Sequence, residues 1–108
     1  MKEQRVDAVF AALADPTRRA VLRAVASAGS VTATELSAQF PVTRQAVAKH
    51  LGALSDAGLV EAVRRGRETR YNLRAAPLND ALDWITGVGE EWDDRLKSLR
   101  RYLASRKR

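Results

Sequence analysis

A chain of 108 residues has the length of one domain, and a hydrophobic content of 45% excludes a disordered chain. Its formal charge of +6 favours a polyanionic partner over a small metabolite. The absence of cysteine excludes disulfides, thiolate metal sites and thiol redox sensing, and the single histidine, His50, cannot build a metal site by itself. The first residues carry no apolar signal core, and no apolar run approaches membrane-spanning length. A cytoplasmic protein without a membrane partner is therefore expected, folded as one domain over residues 1–108.

Val6, Val9, Phe10 and Leu13 fall at helical spacing, which predicts an amphipathic helix over residues 4–14. Asp15-Pro16 ends it, because the residue before proline is pushed out of the α region. The same pair opens a second helix, with Asp15 as cap and Pro16 in the first turn. That helix runs to about Ser27 with Val21, Leu22 and Val25 inward. Arg18, Arg19 and Arg23 form its other face, read as solvated surface. Ala28-Gly29-Ser30 makes a turn. Thr32 and Glu35 are spaced as a capping box for a short third helix, which closes at Phe40-Pro41-Val42.

Residues 43–71 are the part the rest of the chain serves. Thr43 caps a fourth helix with Val47, Leu51 and Leu54 on one face and Arg44, Gln45, Lys49 and Ser55 on the other. Gly58 stops it. Two short strands follow, around residues 60–63 and 69–73, joined by a turn carrying Arg64, Arg65 and Arg67. Two short helices joined by a tight turn form either a helix-turn-helix or a plain helical hairpin. The basic β-hairpin beyond favours DNA.

Residues 77–105 read as one long helix. Leu78, Leu82, Ile85, Trp92, Leu96, Leu99 and Leu103 recur in steps of four and three if Gly89 fills the missing place, which is a heptad seam. The seam spans roughly 39 Å at 1.5 Å per residue, long for so small a domain, so part of it is expected to meet a second chain. Gly87 and Gly89 either admit another helix closely or break this one. Residues 80–94 hold six acids and no base, and residues 95–108 hold seven bases and no acid. Two such helices lying antiparallel set acid against base, which points to a two-fold dimer with the first helix as second contributor.

These motifs resemble those of a known family. Residues 10–19, FAALADPTRR, look like the opening of ArsR/SmtB-type winged helix-turn-helix repressors. Residues 42–73 resemble their recognition helix and wing. The ending, from Pro77 through Trp84 and Trp92 to Leu103, is similar to the last helix of a metal-independent subgroup. The resemblance implies a mainly α fold with a small β-hairpin, in the order α-α-α-α-β-β-α. It implies a homodimeric repressor, often of its own operon, bound to a palindromic operator and paired through its first and last helices. It assigns Val6, Val9, Phe10, Leu13, Leu82, Ile85, Gly89, Trp92, Leu96, Leu99 and Leu103 to the dimer interface. Where many members carry a metal-binding cysteine pair, this sequence has Thr32 and Thr34, and its last helix has no histidine. No metal and no cofactor are expected.

Within the proposed site, Thr43 suits a phosphate at the start of the fourth helix. Arg44 matches guanine and Gln45 adenine. Lys49 suits a base or a phosphate, and His50 either a phosphate or a structural hydrogen bond. Arg64, Arg65, Arg67 and Arg70 of the wing suit phosphates or the minor groove. No catalytic constellation is visible, so no enzyme is expected. Two rivals stand beside the repressor: a winged-helix module for protein–protein interaction, and a repressor answering a small organic ligand near Trp84 and Trp92, with the effector unnamed.

Overall fold

The computed structural model describes residues 2–106, so Lys107 and Arg108 of the basic C-terminal block lie outside the described residues. Helix α1 (Lys2–Leu13) leads into α2 (Pro16–Ala28), strand β1 (Val31–Thr32) and the short α3 (Ala33–Ser37). Helix α4 (Arg44–Asp56), strands β2 (Val60–Arg65) and β3 (Glu68–Leu73), and α5 (Ala76–Arg106) complete the chain. The elements form where local chemistry starts and stops them. Asp15 accepts the Arg18 N–H at 3.0 Å at the head of α2. The capping box of α3 is complete: Thr32 N–H donates to Glu35 Oε1 at 2.9 Å, and Glu35 N–H donates to Thr32 Oγ1 at 3.1 Å. Gly58, with φ +76°, turns the chain out of α4.

The sheet adds a strand that hydrophobic pattern could not reveal. Strand β3 lies between β1 and β2, antiparallel to both, with Val31 opposite Tyr71 and Thr32 opposite Arg70. Two residues are too few to show an alternation, so no strand is expected there from the sequence, where Thr32 reads only as the cap of the third helix. Its effect is to tie the base of the β2–β3 hairpin to the start of α3.

The core gathers Val9 from α1, Val21 and Val25 from α2, Leu36 from α3, and Val47, Leu51 and Leu54 from α4, each fully buried. This corrects part of the expected dimer surface. Val6 is 5% exposed and Val9 0%, while Leu13 packs against the core. The stripe of α1 is largely filled by its own chain: Leu13 is half-buried, and Phe10 is exposed with its ring edge-on to Trp84, centroids 5.6 Å apart. Helix α5 is continuous through Gly87 and Gly89. Its first turns hold Leu78 and Ala81 against the core. The remainder projects, giving a molecule of 74 × 30 × 20 Å. No helix among the described residues is long and apolar enough to cross a membrane.

Leu54 anchors α4 from inside the core. Leu54→Ala is expected to lower unfolding free energy by about 2–5 kcal/mol, measured by urea denaturation; a loss under half a kilocalorie would show that the stripe is not what fixes α4.

Candidate nucleic-acid interface

Helix α4 buries one stripe and presents the other. Because Val47, Leu51 and Leu54 point inward, Arg44, Gln45, Ala48 and Lys49 are left exposed. Thr43 caps the helix, its Oγ1 accepting the Ala46 N–H at 3.1 Å. The first-turn N–H groups without a partner inside the helix lie at the same end, an arrangement that favours an anion.

The wing stands beside this helix. Its two-residue turn, Gly66-Arg67, joins Arg65 to Glu68 across the hairpin, and Gly66 has φ +62°, a value costly for any residue with a Cβ. Arg64 Nε donates to the Gly66 carbonyl at 2.9 Å, so this arginine also braces the turn. Arg65 and Arg67 are exposed. Between α4 and the wing lies an open cleft of about 640 Å³, with Arg44 on one wall and Arg64 and Arg67 on the other. The structure therefore brings Arg44 of α4 together with Arg64 and Arg67 of the hairpin, in a cleft that Glu35 and Glu68 also line; Arg65, Lys49 and His50 lie outside it. Thr34, Thr69 and Tyr71 also line it. Sequence reading missed them because neutral hydroxyls carry no charge signal; their only mark was flanking the motifs, two in β3 and one in the first turn of α3.

Two predicted residues have structural employment. Arg70 is half-buried at the base of the wing. It donates to Ser30 Oγ at 2.9 Å, the Ser30 carbonyl at 3.1 Å, Glu68 Oε2 at 3.1 Å and Glu35 Oε1 at 3.2 Å. Its guanidinium thus ties the wing to the turn before β1 and to the cap of α3. His50 is half-buried and accepts from Arg18 Nε at 3.4 Å, linking α4 to α2. Of the two roles open to it in the sequence, this contact is the structural one.

Hydrogen bonds hold two carboxyls below the usual carboxylate range. For Asp15 the main cause is the Arg18 backbone N–H, with His50 a lesser one. For Glu35 it is the Thr32 backbone N–H, then the Thr32 hydroxyl and Arg70. Among the described residues no group of three or more acids and histidines is placed to hold a metal ion, and the Thr32 hydroxyl is engaged in the cap.

A short helix, a tight turn, a second helix with an exposed polar face and a basic hairpin define a winged helix-turn-helix. Comparison with known proteins agrees. Residues 13–63 match a family described as a helix-turn-helix domain. The chain is 30% identical over 88 residues to the transcriptional repressor SdpR of Bacillus subtilis (strain 168), covering 82% of this chain and 97% of that one. It is 41% identical to the solved ArsR-like transcriptional regulator from Rhodococcus sp. RHA1, with a TM-score of 0.81 over 92% of each chain. The homodimeric winged helix-turn-helix DNA-binding domain of Mb0332 from Mycobacterium bovis is 25% identical, with a TM-score of 0.64 over 82% of this chain and 81% of that one. The chain belongs to the ArsR-type winged helix-turn-helix transcriptional regulators.

Asp15 and Glu35 have depressed folded-state values, so their stabilisation is present above the unfolded carboxylate pKa and is lost as pH falls through the folded one. The melting temperature is expected to hold between pH 7 and 5 and to fall below about pH 4. Glu35→Gln should make that fall shallower, and a fall as steep as in the unmodified protein would contradict the assignment. Separately, Arg70→Ala is expected to leave helix content unchanged in circular dichroism while amide exchange in β3 rises severalfold. Unchanged exchange there would show that Arg70 does not anchor the wing.

Proposed function

We propose that the protein is a cytoplasmic, homodimeric repressor that binds a palindromic duplex without a metal-sensing site and without enzymatic activity. One observation carries the reading: the buried stripe of α4 turns Arg44, Gln45 and Lys49 outward beside a wing carrying exposed Arg65 and Arg67. Helix α4 enters the major groove with its N-terminal end leading, so Arg44 and Gln45 meet base edges and Thr43 meets the flanking phosphate. The sugar–phosphate strand beside that groove runs through the cleft between α4 and the wing, between Arg44 and Arg67. Arg64, Arg65 and Arg67 then contact phosphates or reach into the adjacent minor groove. Arg70 supports the wing, and phosphate contact through its remaining capacity is a secondary role. The repressor assignment draws support from SdpR, and the homodimer from Mb0332. The metal-independent reading draws support from the lack of cysteine and from the capping role of Thr32.

A second reading, a repressor that answers a small organic molecule, has one feature in its favour. An open cleft of about 740 Å³ between α1 and α5 is lined by Val6, Phe10 and Trp84, with acids at its rim. Tryptophan fluorescence titrated with a panel of organic cations tests it: saturable quenching supports the reading, and a flat response removes it. The rival protein–protein module predicts no retention of DNA at physiological salt.

Fluorescence anisotropy on duplexes selected from a random pool tests the main proposal. Arg44→Ala and Gln45→Ala should each cost about 1–3 kcal/mol and relax preference at one base pair per half-site. Arg67→Ala should weaken all sequences about equally and lower the salt slope by about 1 per subunit. For a dimer contacting about 6–10 phosphates, affinity should fall roughly 10³–10⁵ between 50 and 200 mM salt. No loss in the Arg44 and Gln45 variants, or a flat salt response, would overturn the proposal.

A further inference from the structure

The cleft between α4 and the wing holds more than charge. Three of its lining residues carry neutral hydroxyls: Thr34 from the first turn of α3, and Thr69 and Tyr71 from β3. Strand alternation brings two of them there. Successive side chains of a strand point to opposite faces, so Thr69, Tyr71 and Leu73 share one face of β3, and Glu68, Arg70 and Asn72 the other. Across the ladder Thr69 stands opposite Arg64, Tyr71 opposite Ala62, and Leu73 opposite the buried Val60. One face of the hairpin therefore covers the core at its base and becomes a wall of the cleft toward its tip. Thr34 arrives from the other edge of the sheet: β1 pairs with β3, Val31 opposite Tyr71, and Thr34 follows in α3.

Among the described residues none of these three hydroxyls has a hydrogen-bond partner, whereas the hydroxyls of Thr32 and Thr43 are both engaged in helix caps. Their positions are nevertheless constrained. The Tyr71 ring is half-buried and packs against the core, and threonine is stiff at its first side-chain torsion. A group held in this way donates to a ligand with little conformational freedom left to lose, unlike a long exposed arginine. The acids of the cleft do not oppose an anion as unpaired charges, since Glu35 and Glu68 each pair with Arg70, at 3.2 and 3.1 Å.

We infer that Thr34, Thr69 and Tyr71 are the uncharged phosphate contacts of the cleft, donating to backbone oxygens of the strand that runs through it and setting how deeply α4 sits in its groove. The inference rests on the DNA reading proposed above and adds to its arginines three residues that act differently. An arginine at a phosphate neutralises charge and releases counterions, so its contribution fades as salt rises. A hydroxyl exchanges a bond to water for a bond to an anionic oxygen and releases no counterion. Its reach is also short, about 2.5–3.0 Å between oxygens, so it holds the strand at one place, whereas the arginine field attracts it from farther away. Contacts of this kind fix the orientation of a protein on the duplex and carry no sequence information themselves. In this cleft Arg44, Arg64 and Arg67 draw the strand in, and the hydroxyls decide where it stops.

Anisotropy with the full chain on a duplex selected from a random pool tests this. Tyr71→Phe should bind about tenfold more weakly, the loss expected for one hydrogen bond to a charged group, and Thr34→Val/Thr69→Val should lose at least as much. In both variants the slope of log affinity against log salt should stay that of the unmodified protein, in contrast to Arg67→Ala, because no cation is removed. Helix content and melting temperature should not move, since no hydrogen bond within the protein is lost. Duplexes in which one phosphate at a time is replaced by methylphosphonate then locate the contact. Replacement at one phosphate per half-site should weaken the unmodified protein and cost Tyr71→Phe little more, while replacements elsewhere add to the substitution in full. Duplex binding with no loss in either variant, a loss that comes with a lower salt slope, or losses additive at every phosphate would each overturn the inference and leave the DNA reading in place. An unmodified protein that retains no duplex overturns both.

Discussion

Val47, Leu51 and Leu54 recur on α4 at the spacing of one helical face, and all three are fully buried. Everything the protein can present to a duplex follows from that stripe. A helix anchored by three large side chains against α2 and α3 cannot rotate without exposing them, at about 1.5–3 kcal/mol each. The outward direction of Arg44, Gln45 and Lys49 is thus set by the core. The hydroxyl of Thr43 fixes where the helix begins, and so which residues lead into a groove. The wing depends on the same constraint at one remove, since β3 is held by β1 and by Arg70 to the cap of α3, the helix that packs against α4.

Much of this was legible in the sequence because it is local. Caps at Asp15, Thr32 and Thr43, the stop at Gly58 and the turn at Gly66 are short-range signals with short-range causes, and each stands where its residue type demands. What was not legible depends on residues distant in the chain. Strand β1 exists only because residues forty positions later pair with it. Arg70 looks like any wing arginine until folding brings Ser30 and Glu35 to it. His50 was ambiguous for the same reason, its partner Arg18 lying on another helix. The apolar face of α1 was visible, but periodicity alone does not say whether a stripe meets its own core or a second chain. Val9 proves to be fully buried in the chain's own core, and Phe10, though exposed, meets Trp84 of the same chain.

Helix α5 poses the complementary question. Its first turns belong to the core, and most of its 31 residues do not. A small domain gains little by extending such a helix into water, since an isolated helix draws most of its stability from what its apolar face packs against. In the homodimer proposed above, pairing through this helix would cover the apolar side chains of Leu82, Ile85, Trp92, Leu99 and Leu103 that stay exposed in one copy. Under that proposal, the spacing of the two α4 helices in the dimer is what the half-sites of the duplex must match.

The claim on which the account stands is that two α4 helices occupy successive major grooves of one duplex. Guanine-N7 methylation protection on a selected duplex reads this directly, because N7 lies in the major groove. Protection in two patches on one face of the duplex, about one helical turn apart and related by a two-fold axis, is the predicted result. A single protected patch, or protection confined to the backbone with every N7 still reactive, would contradict it.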